Sequence, residues 1–230
     1  MVKSDFPYVK LIENKENLGF AKANNQAYEI AQGRWFYLLN SDTIIGEHSL
    51  DKLLEFAERT PKCGVVGPTV LNRDGSIQPS WARFLSIYSE LKGQLDRRIS
   101  GKDYIPSSKE QIQNMGPFQT DWIGGCSMLV RKEAADKIGL LDDSLFMYSE
   151  ETDLCKRLKK SGWEIWVCPE AIITHYGGAS STKVPIETRR RLIRSKYAYF
   201  RKHHGLLSAI IVKFILDAKS IAKYILSKQR

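Results

Sequence analysis

The sequence predicts an α/β fold: a mostly parallel sheet flanked by helices, with a C-terminal helical tail. Two observations predict it. Strand-like and helix-like segments alternate through the first two-thirds of the chain. The segment 186–230 instead reads as two helices broken near His204-Gly205, with no strand signal. The expected division is residues 1–185 for the α/β domain and 186–230 for a basic amphipathic tail.

Each element has a local reason. Residues 8–12, Tyr-Val-Lys-Leu-Ile, read as a short strand. Residues 20–32 read as a helix, with Gly33 placed to end it in a left-handed cap. Residues 34–39 are aromatic and apolar, as in a buried strand. Leu50, Leu53, Leu54 and Ala57 fall on one face of a helix over 50–59. Residues 63–67 read as another buried strand, and Asn72-Arg73-Asp74-Gly75 as a turn. A helix is expected over 87–95, then an apolar strand over 120–130 interrupted by Gly124-Gly125. A helix over 150–160, a strand over 163–168 and a segment over 171–176 complete the domain.

Bulk properties narrow the class. The 230 residues are 43% hydrophobic and 27% charged, which suits one globular domain with an appendage and excludes a disordered chain. No apolar run reaches the roughly 18 residues of a spanning helix. The first residues lack the apolar core of a signal peptide, so a cytoplasmic location is expected. Cys63, Cys126, Cys155 and Cys168 are widely spaced and are expected to be free thiols. The net charge is +9, yet from Lys183 onward 13 basic residues face 2 acidic ones, so the body itself is slightly acidic. That distribution, without a recognised module, argues against nucleic acid as a partner.

Four segments carry chemistry. Asn40-Ser41-Asp42 places a carboxylate just beyond a buried strand, where open α/β sheets bind ligands and where an Asp can hold a divalent cation. An Asp that merely starts a turn fits the same pattern. Glu150-Glu151-Thr152-Asp153 packs three carboxylates at a helix start, more than capping needs; one can serve as a base. His175-Tyr176-Gly177-Gly178 sets an imidazole able to bind metal beside a pliable loop. In the run from Asn17 to Asn25, Lys22, Asn24 and their neighbours open a helix with groups suited to phosphate.

Taken together, these segments resemble family 2 glycosyltransferases of GT-A fold, in particular their rhamnosyltransferase-like branch. Asn17-Leu18-Gly19-Phe20-Ala21-Lys22-Ala23-Asn24-Asn25 is similar to the family's donor-side helix, and Asn40-Ser41-Asp42 to its Asp-x-Asp metal motif. The run Trp122-Ile123-Gly124-Gly125-Cys126-Ser127-Met128-Leu129-Val130-Arg131 resembles the acceptor-side strand. Glu150-Glu151-Thr152-Asp153-Leu154 resembles the segment that supplies the base, and His175-Tyr176-Gly177-Gly178 the late His of the metal site. The resemblance runs from about residue 8 to about residue 204. It departs from the family in two places. The family's first βαβ portion, which cradles the nucleoside, has no counterpart here, so truncation of the domain is expected. Glu151 also stands where the family has Asp, a displacement on the order of an ångström.

The resemblance implies an inverting transfer from a nucleotide-sugar, with dTDP-rhamnose as the first expectation and UDP-sugars as the other. The acceptor would be a saccharide or lipid-linked saccharide in bacterial surface polysaccharide synthesis. On this reading Glu151 is the base, and Glu150 and Asp153 orient the site. Asp42 and His175 hold Mg²⁺ or Mn²⁺. Lys22, Asn24, Asn40 and Ser41 meet the donor, and Trp122, Gly124 and Gly125 line the acceptor side. The tail combines Arg189-Arg190-Arg191 and later lysines with a broad apolar face, as in a helix lying on an anionic membrane at its cytoplasmic side. Packing on the chain's own domain, or on a second copy in a homodimer, fits the same pattern. Two other readings compete. An aspartyl-phosphate phosphatase fails because Asn40 occupies the nucleophile's place. An inactive remnant serving as a membrane-associated interaction module is the alternative function.

Overall fold

The computed structural model describes residues 1–92, 109–145, 148–177 and 185–228. A short helix, α1 (Val2–Asp5), opens the chain, and α2 (Phe20–Ile30) follows an irregular stretch. Strands β1 (Trp35–Leu39) and β2 (Thr43–Ile45) flank the Asn40-Ser41-Asp42 turn. Helix α3 (Ser49–Arg59) then leads to β3 (Cys63–Leu71), whose nine residues are all buried. Beyond it lie β4 (Trp81–Ala82), α4 (Ile87–Lys92), α5 (Lys109–Gln113), β5 (Phe118–Gln119), β6 (Trp122–Ile123) and β7 (Ser127–Arg131). Helices α6 (Lys132–Ile138) and α7 (Glu150–Lys160) precede the long β8 (Glu164–His175). The tail is α8 (Pro185–His204) and α9 (Leu206–Lys228), joined at Gly205, whose φ of +85° suits a residue without a Cβ.

The main sheet has the order β1-β7-β3-β8-β2, with β5 beside β8. The α/β class holds, but the sheet is mixed rather than mostly parallel. The strand–helix–strand unit β1-α3-β3 does send β1 and β3 the same way, as its sequence pattern implies. β7 inserts between them and pairs antiparallel with both, through Leu38↔Met128 and Val66↔Leu129. β3 and β8 are parallel along their length, from Cys63↔Glu164 to Leu71↔Thr174. Consequently β1, β3 and β8 all end at one edge of the domain.

Alternation along the strands builds two cores, because successive side chains point to opposite faces. Val65, Met128, Val130, Ile165 and Val167 join Leu154 and Leu158 of α7 on one face. Val66, Leu129 and Cys168 join Leu53 and Ala57 of α3 on the other. Helices therefore cover both faces, and every strand of the centre is apolar on both sides.

Two local expectations are corrected. Residues 8–12 form no strand, and Tyr8, Val9, Leu11 and Ile12 are exposed; no neighbouring strand pairs with them among the described residues. α2 ends at Ala31, which turns extended (φ −74°, ψ 131°) to feed β1, so Gly33 is not a left-handed cap. Gly33 instead allows close approach: a Cβ there would lie 3.0 Å from the Trp35 carbonyl oxygen. The two segments expected at 163–168 and 171–176 are one strand, and the 120–130 run is two short strands on either side of the glycines. The expected helix over 87–95 is seen as far as residue 92, and the remainder lies outside the described residues.

The tail packs on the domain. Tyr199 and Phe200 of α8 are fully buried with Leu85, Ala209, Val212 and Leu216. Lys196 pairs with Glu90 at 2.6 Å. No helix of the described residues is long and apolar enough to cross a membrane.

Candidate active site

The carboxyl ends of β1, β3 and β8 converge on one cavity of about 400 Å³. Asn40 follows β1, Gln78 follows the turn after β3, and His175 ends β8; all three line it. Trp122, Gly124, Gly125 and Cys126 from the approach to β7 form a second wall. Tyr148, Glu150 and Glu151 at the start of α7 form a third, and Phe20 at the start of α2 completes it. Gly125 lies against both, its Cβ position 3.4 Å from the Phe20 ring and 3.8 Å from Glu151 Cβ. A cavity of about 480 Å³ lies at the other end of β1, but its acidic residues Glu58, Asp136 and Glu133 are paired with Arg34, Lys132 and Lys137. The carboxyl-end cavity is the one that gathers unneutralised carboxyl groups and an imidazole.

His175 lines the cavity, and Asp42, which does not itself line it, places Oδ1 3.3 Å from His175 Nε2. The β2–β8 register enforces this, because Thr43 pairs with His175 and the Tyr176 N–H donates to the Asp42 carbonyl. Asn40 Nδ2 lies 3.4 Å from the same imidazole nitrogen. Two ligands at about 2.1 Å from one octahedral ion lie about 3 Å apart, so the pair suits a shared divalent cation. No third His, Cys, Asp or Glu completes a metal cluster among the described residues. Such a site leaves most coordination positions to water and to ligand phosphates, as Mg²⁺ sites commonly do.

Glu150 and Glu151 occupy the first turn of α7, after Tyr148 and Ser149, whose φ values of +73° and +69° are left-handed. Glu150 is 5% exposed, and its Oε2 has no partner. Burial raises the pKa of both carboxyls well above the ordinary range. The charge of Glu151 raises Glu150 further, so the pair gives up its protons in two steps, both above the ordinary carboxylate range. A partly neutral carboxyl pair beside an open cavity is equipped to accept a proton.

Not every sequence-expected residue joins this cavity. Asp153 turns the other way: it is fully buried and bonded to Arg157 at 2.6 Å, His203 at 2.7 Å and Lys202 at 2.8 Å. Hydrogen bonds from His203 and Lys202 and the charge of Arg157 hold its carboxyl well below the usual range despite burial. Asn24 donates to the Phe20 carbonyl within α2, while Lys22 and Ser41 are exposed and do not line the cavity. Gly178 and the serines beyond it lie outside the described residues. Gln78, Pro79 and Ser80 line the cavity without having stood out in the sequence, where only the turn before them carried a signal.

Comparison with known proteins accords with this geometry. A family profile described as "Glycosyltransferase like family 2" matches residues 2–196. An N-acetylglucosaminyl-diphospho-decaprenol L-rhamnosyltransferase of Mycobacterium tuberculosis (strain CDC 1551 / Oshkosh) is 28% identical over 212 residues, covering 87% of this chain and 69% of that protein. A dTDP-rhamnosyl transferase of Shigella flexneri, RfbF, is 24% identical over 212 residues, covering 87% of this chain and 66% of its own length. In fold, the chain is similar to GalNAc-T7, whose crystal structure contains UDP, GalNAc and Mn²⁺. The TM-score is 0.54 at 14% identity, covering 86% of this chain and 40% of that one. With a profile match spanning most of the sequence and a fold of the same kind, the chain belongs to glycosyltransferase family 2.

Proposed function

We propose that this chain is an inverting sugar transferase that moves a glycosyl group from a nucleoside diphosphate donor to a saccharide hydroxyl. The observation that carries this reading is one cavity lined by both Glu151 and His175, with Asp42 Oδ1 3.3 Å from the His175 imidazole. Glu151 accepts the proton of the acceptor hydroxyl as that oxygen forms its bond to the anomeric carbon. The bond from this carbon to the diphosphate breaks, and the nucleoside diphosphate carries away the electron pair. Asp42 and His175 would hold Mg²⁺ or Mn²⁺, which would supply positive charge beside the leaving diphosphate. Asn40 presents its amide beside them, and Trp122 and Gly124 offer an apolar wall for a sugar ring. Asp153 acts at a distance, fixing the helix that carries Glu151. Lys22, Asn24 and Ser41 would meet the donor only from outside the cavity.

The two rhamnosyltransferase relatives make dTDP-rhamnose the first donor to test and a saccharide on a lipid diphosphate the first acceptor class. Incubation of the chain with these and Mn²⁺, followed by NMR of the product, should give an anomeric configuration opposite to the donor's. Retained configuration would contradict a single displacement with Glu151 as base.

The tail favours an association with an anionic membrane surface. On α9, Leu207, Ile210, Phe214 and Ile221 are exposed at helical spacing, opposite the buried Ala209, Val212 and Leu216. The basic residues of the same segment supply attraction to acidic lipid. Co-flotation with phosphatidylglycerol vesicles should fall markedly in Leu207→Ser/Phe214→Ser. An undiminished double variant would count against this placement.

A further inference from the structure

We propose that Gln78 is a positioning residue that selects the tautomer of His175 and thereby prepares the Asp42–His175 pair for a divalent cation. The inference rests on the metal-assisted reading above and concerns a residue outside the sequence motifs. His175 Nδ1 lies 2.8 Å from Gln78 Oε1. The carboxamide cannot turn over freely, because its Nε2 donates to Asn72 Oδ1 at 2.9 Å. Asn72 is oriented in turn, since its Nδ2 donates to Ser76 Oγ at 2.9 Å, and Ser76 Oγ donates to Asp74 Oδ1 at 2.5 Å. Each amide therefore has its oxygen and nitrogen assigned by the next group, and the chain ends with an oxygen facing Nδ1.

An oxygen there requires Nδ1 to donate. In the neutral ring the proton is then on Nδ1, and Nε2 presents its lone pair toward Asp42 and the Asn40 amide. Two acceptors 3.3 Å apart repel unless a cation lies between them, so this tautomer suits the pair to metal. Hydrogen bonds to the non-ligating nitrogen of a metal-binding His orient the ring in the same way, and their loss typically lowers metal affinity about 10–100-fold. The hairpin that carries Gln78 is rigid on the far side as well. The Gln78 N–H donates to the Val70 carbonyl and the Asn72 N–H to the Ser76 carbonyl, tying the residue to the end of β3. Gly177, with φ +56°, lies against the same carboxamide, where a Cβ would come within 3.5 Å of Gln78 Nε2.

The test uses long-range ¹H–¹⁵N NMR of the His175 ring without metal, and Mn²⁺ titration followed by electron paramagnetic resonance. Both are applied to the wild-type chain, Gln78→Leu and Gln78→Glu. The wild-type ring is expected to be protonated at Nδ1. Gln78→Leu should lose that preference and bind Mn²⁺ about 10–100-fold more weakly. Gln78→Glu, which restores an acceptor oxygen, should recover both properties. An Nε2-protonated wild-type ring would overturn the proposal, even if Gln78→Leu does not fold. Equal Mn²⁺ affinity in wild type and Gln78→Leu would overturn it while leaving the metal reading intact. A wild-type chain that binds no Mn²⁺ would remove the metal reading and the role assigned to Gln78 with it.

Discussion

Glu151→Gln is expected to lower turnover by about 10²–10⁴-fold, the usual contribution of a positioned general base, with donor affinity unchanged. Gln keeps the volume and one oxygen of Glu but cannot take the acceptor's proton. The residue lines the cavity and does not belong to the Asp42–His175 pair, so binding of the nucleotide should survive. The wild-type pH profile carries a related signature. Glu151 works only when ionised, and burial raises its pKa. Activity should therefore rise with pH along an acid limb displaced from the ordinary carboxylate value of about 4.3 toward neutrality. In Glu151→Gln that limb should disappear from the residual rate. Steady-state rates across pH, paired with donor titration, separate the two effects; undiminished turnover would remove Glu151 from the role of base.

Asp153→Ala is expected to cost about 3–5 kcal/mol of folding stability, the range for removing one member of a buried charge cluster. The loss leaves the largely buried side chains of His203 and Arg157 without their carboxylate. Arg157 also donates to the carbonyls of Ile138, Gly139 and Leu140, so the connection between α6 and α7 should loosen too. The pH dependence has a definite sign. The folded-state pKa of Asp153 is depressed, so its contribution is fully present above the unfolded value of about 3.9. That contribution drains away as pH falls below 3.9 toward the lower folded-state value. Urea midpoints for both proteins should therefore differ widely at pH 7 and converge in acid. A variant with wild-type stability but no turnover would move Asp153 into the chemistry.

The physics of the sequence conveyed the domain's outline more reliably than its sheet. The apolar run at 63–67 and the aromatic run at 34–39 marked strands of the sheet, and the apolar spacing in 50–59 marked α3. Strand direction was less legible, because the insertion of β7 between β1 and β3 is a long-range event that no local pattern records. Residues 8–12 show the same limit: β-branched and aromatic composition favours a strand only where a neighbour supplies the hydrogen bonds. At the site, Asn40, His175 and the Glu150-Glu151 pair stood out because their residue types sit at strand and helix ends. Asp153 stood out for the same reason, yet it turns to α8, since direction around a helix start depends on which element packs there. Gln78 gave no signal, because its importance lies in hydrogen bonds to Asn72 and His175, 6 residues before it and 97 after it.

The central claim is that Asp42 and His175 hold a divalent cation against a donor diphosphate at the carboxyl end of this sheet. Calorimetric titration of the chain with dTDP-rhamnose, UDP-sugars and the free nucleotides, with and without Mn²⁺, tests it most directly. The expected result is Mn²⁺-dependent binding of at least one of these ligands, abolished or strongly weakened in Asp42→Ala. Binding that ignores Mn²⁺, or that Asp42→Ala leaves unchanged, would contradict it.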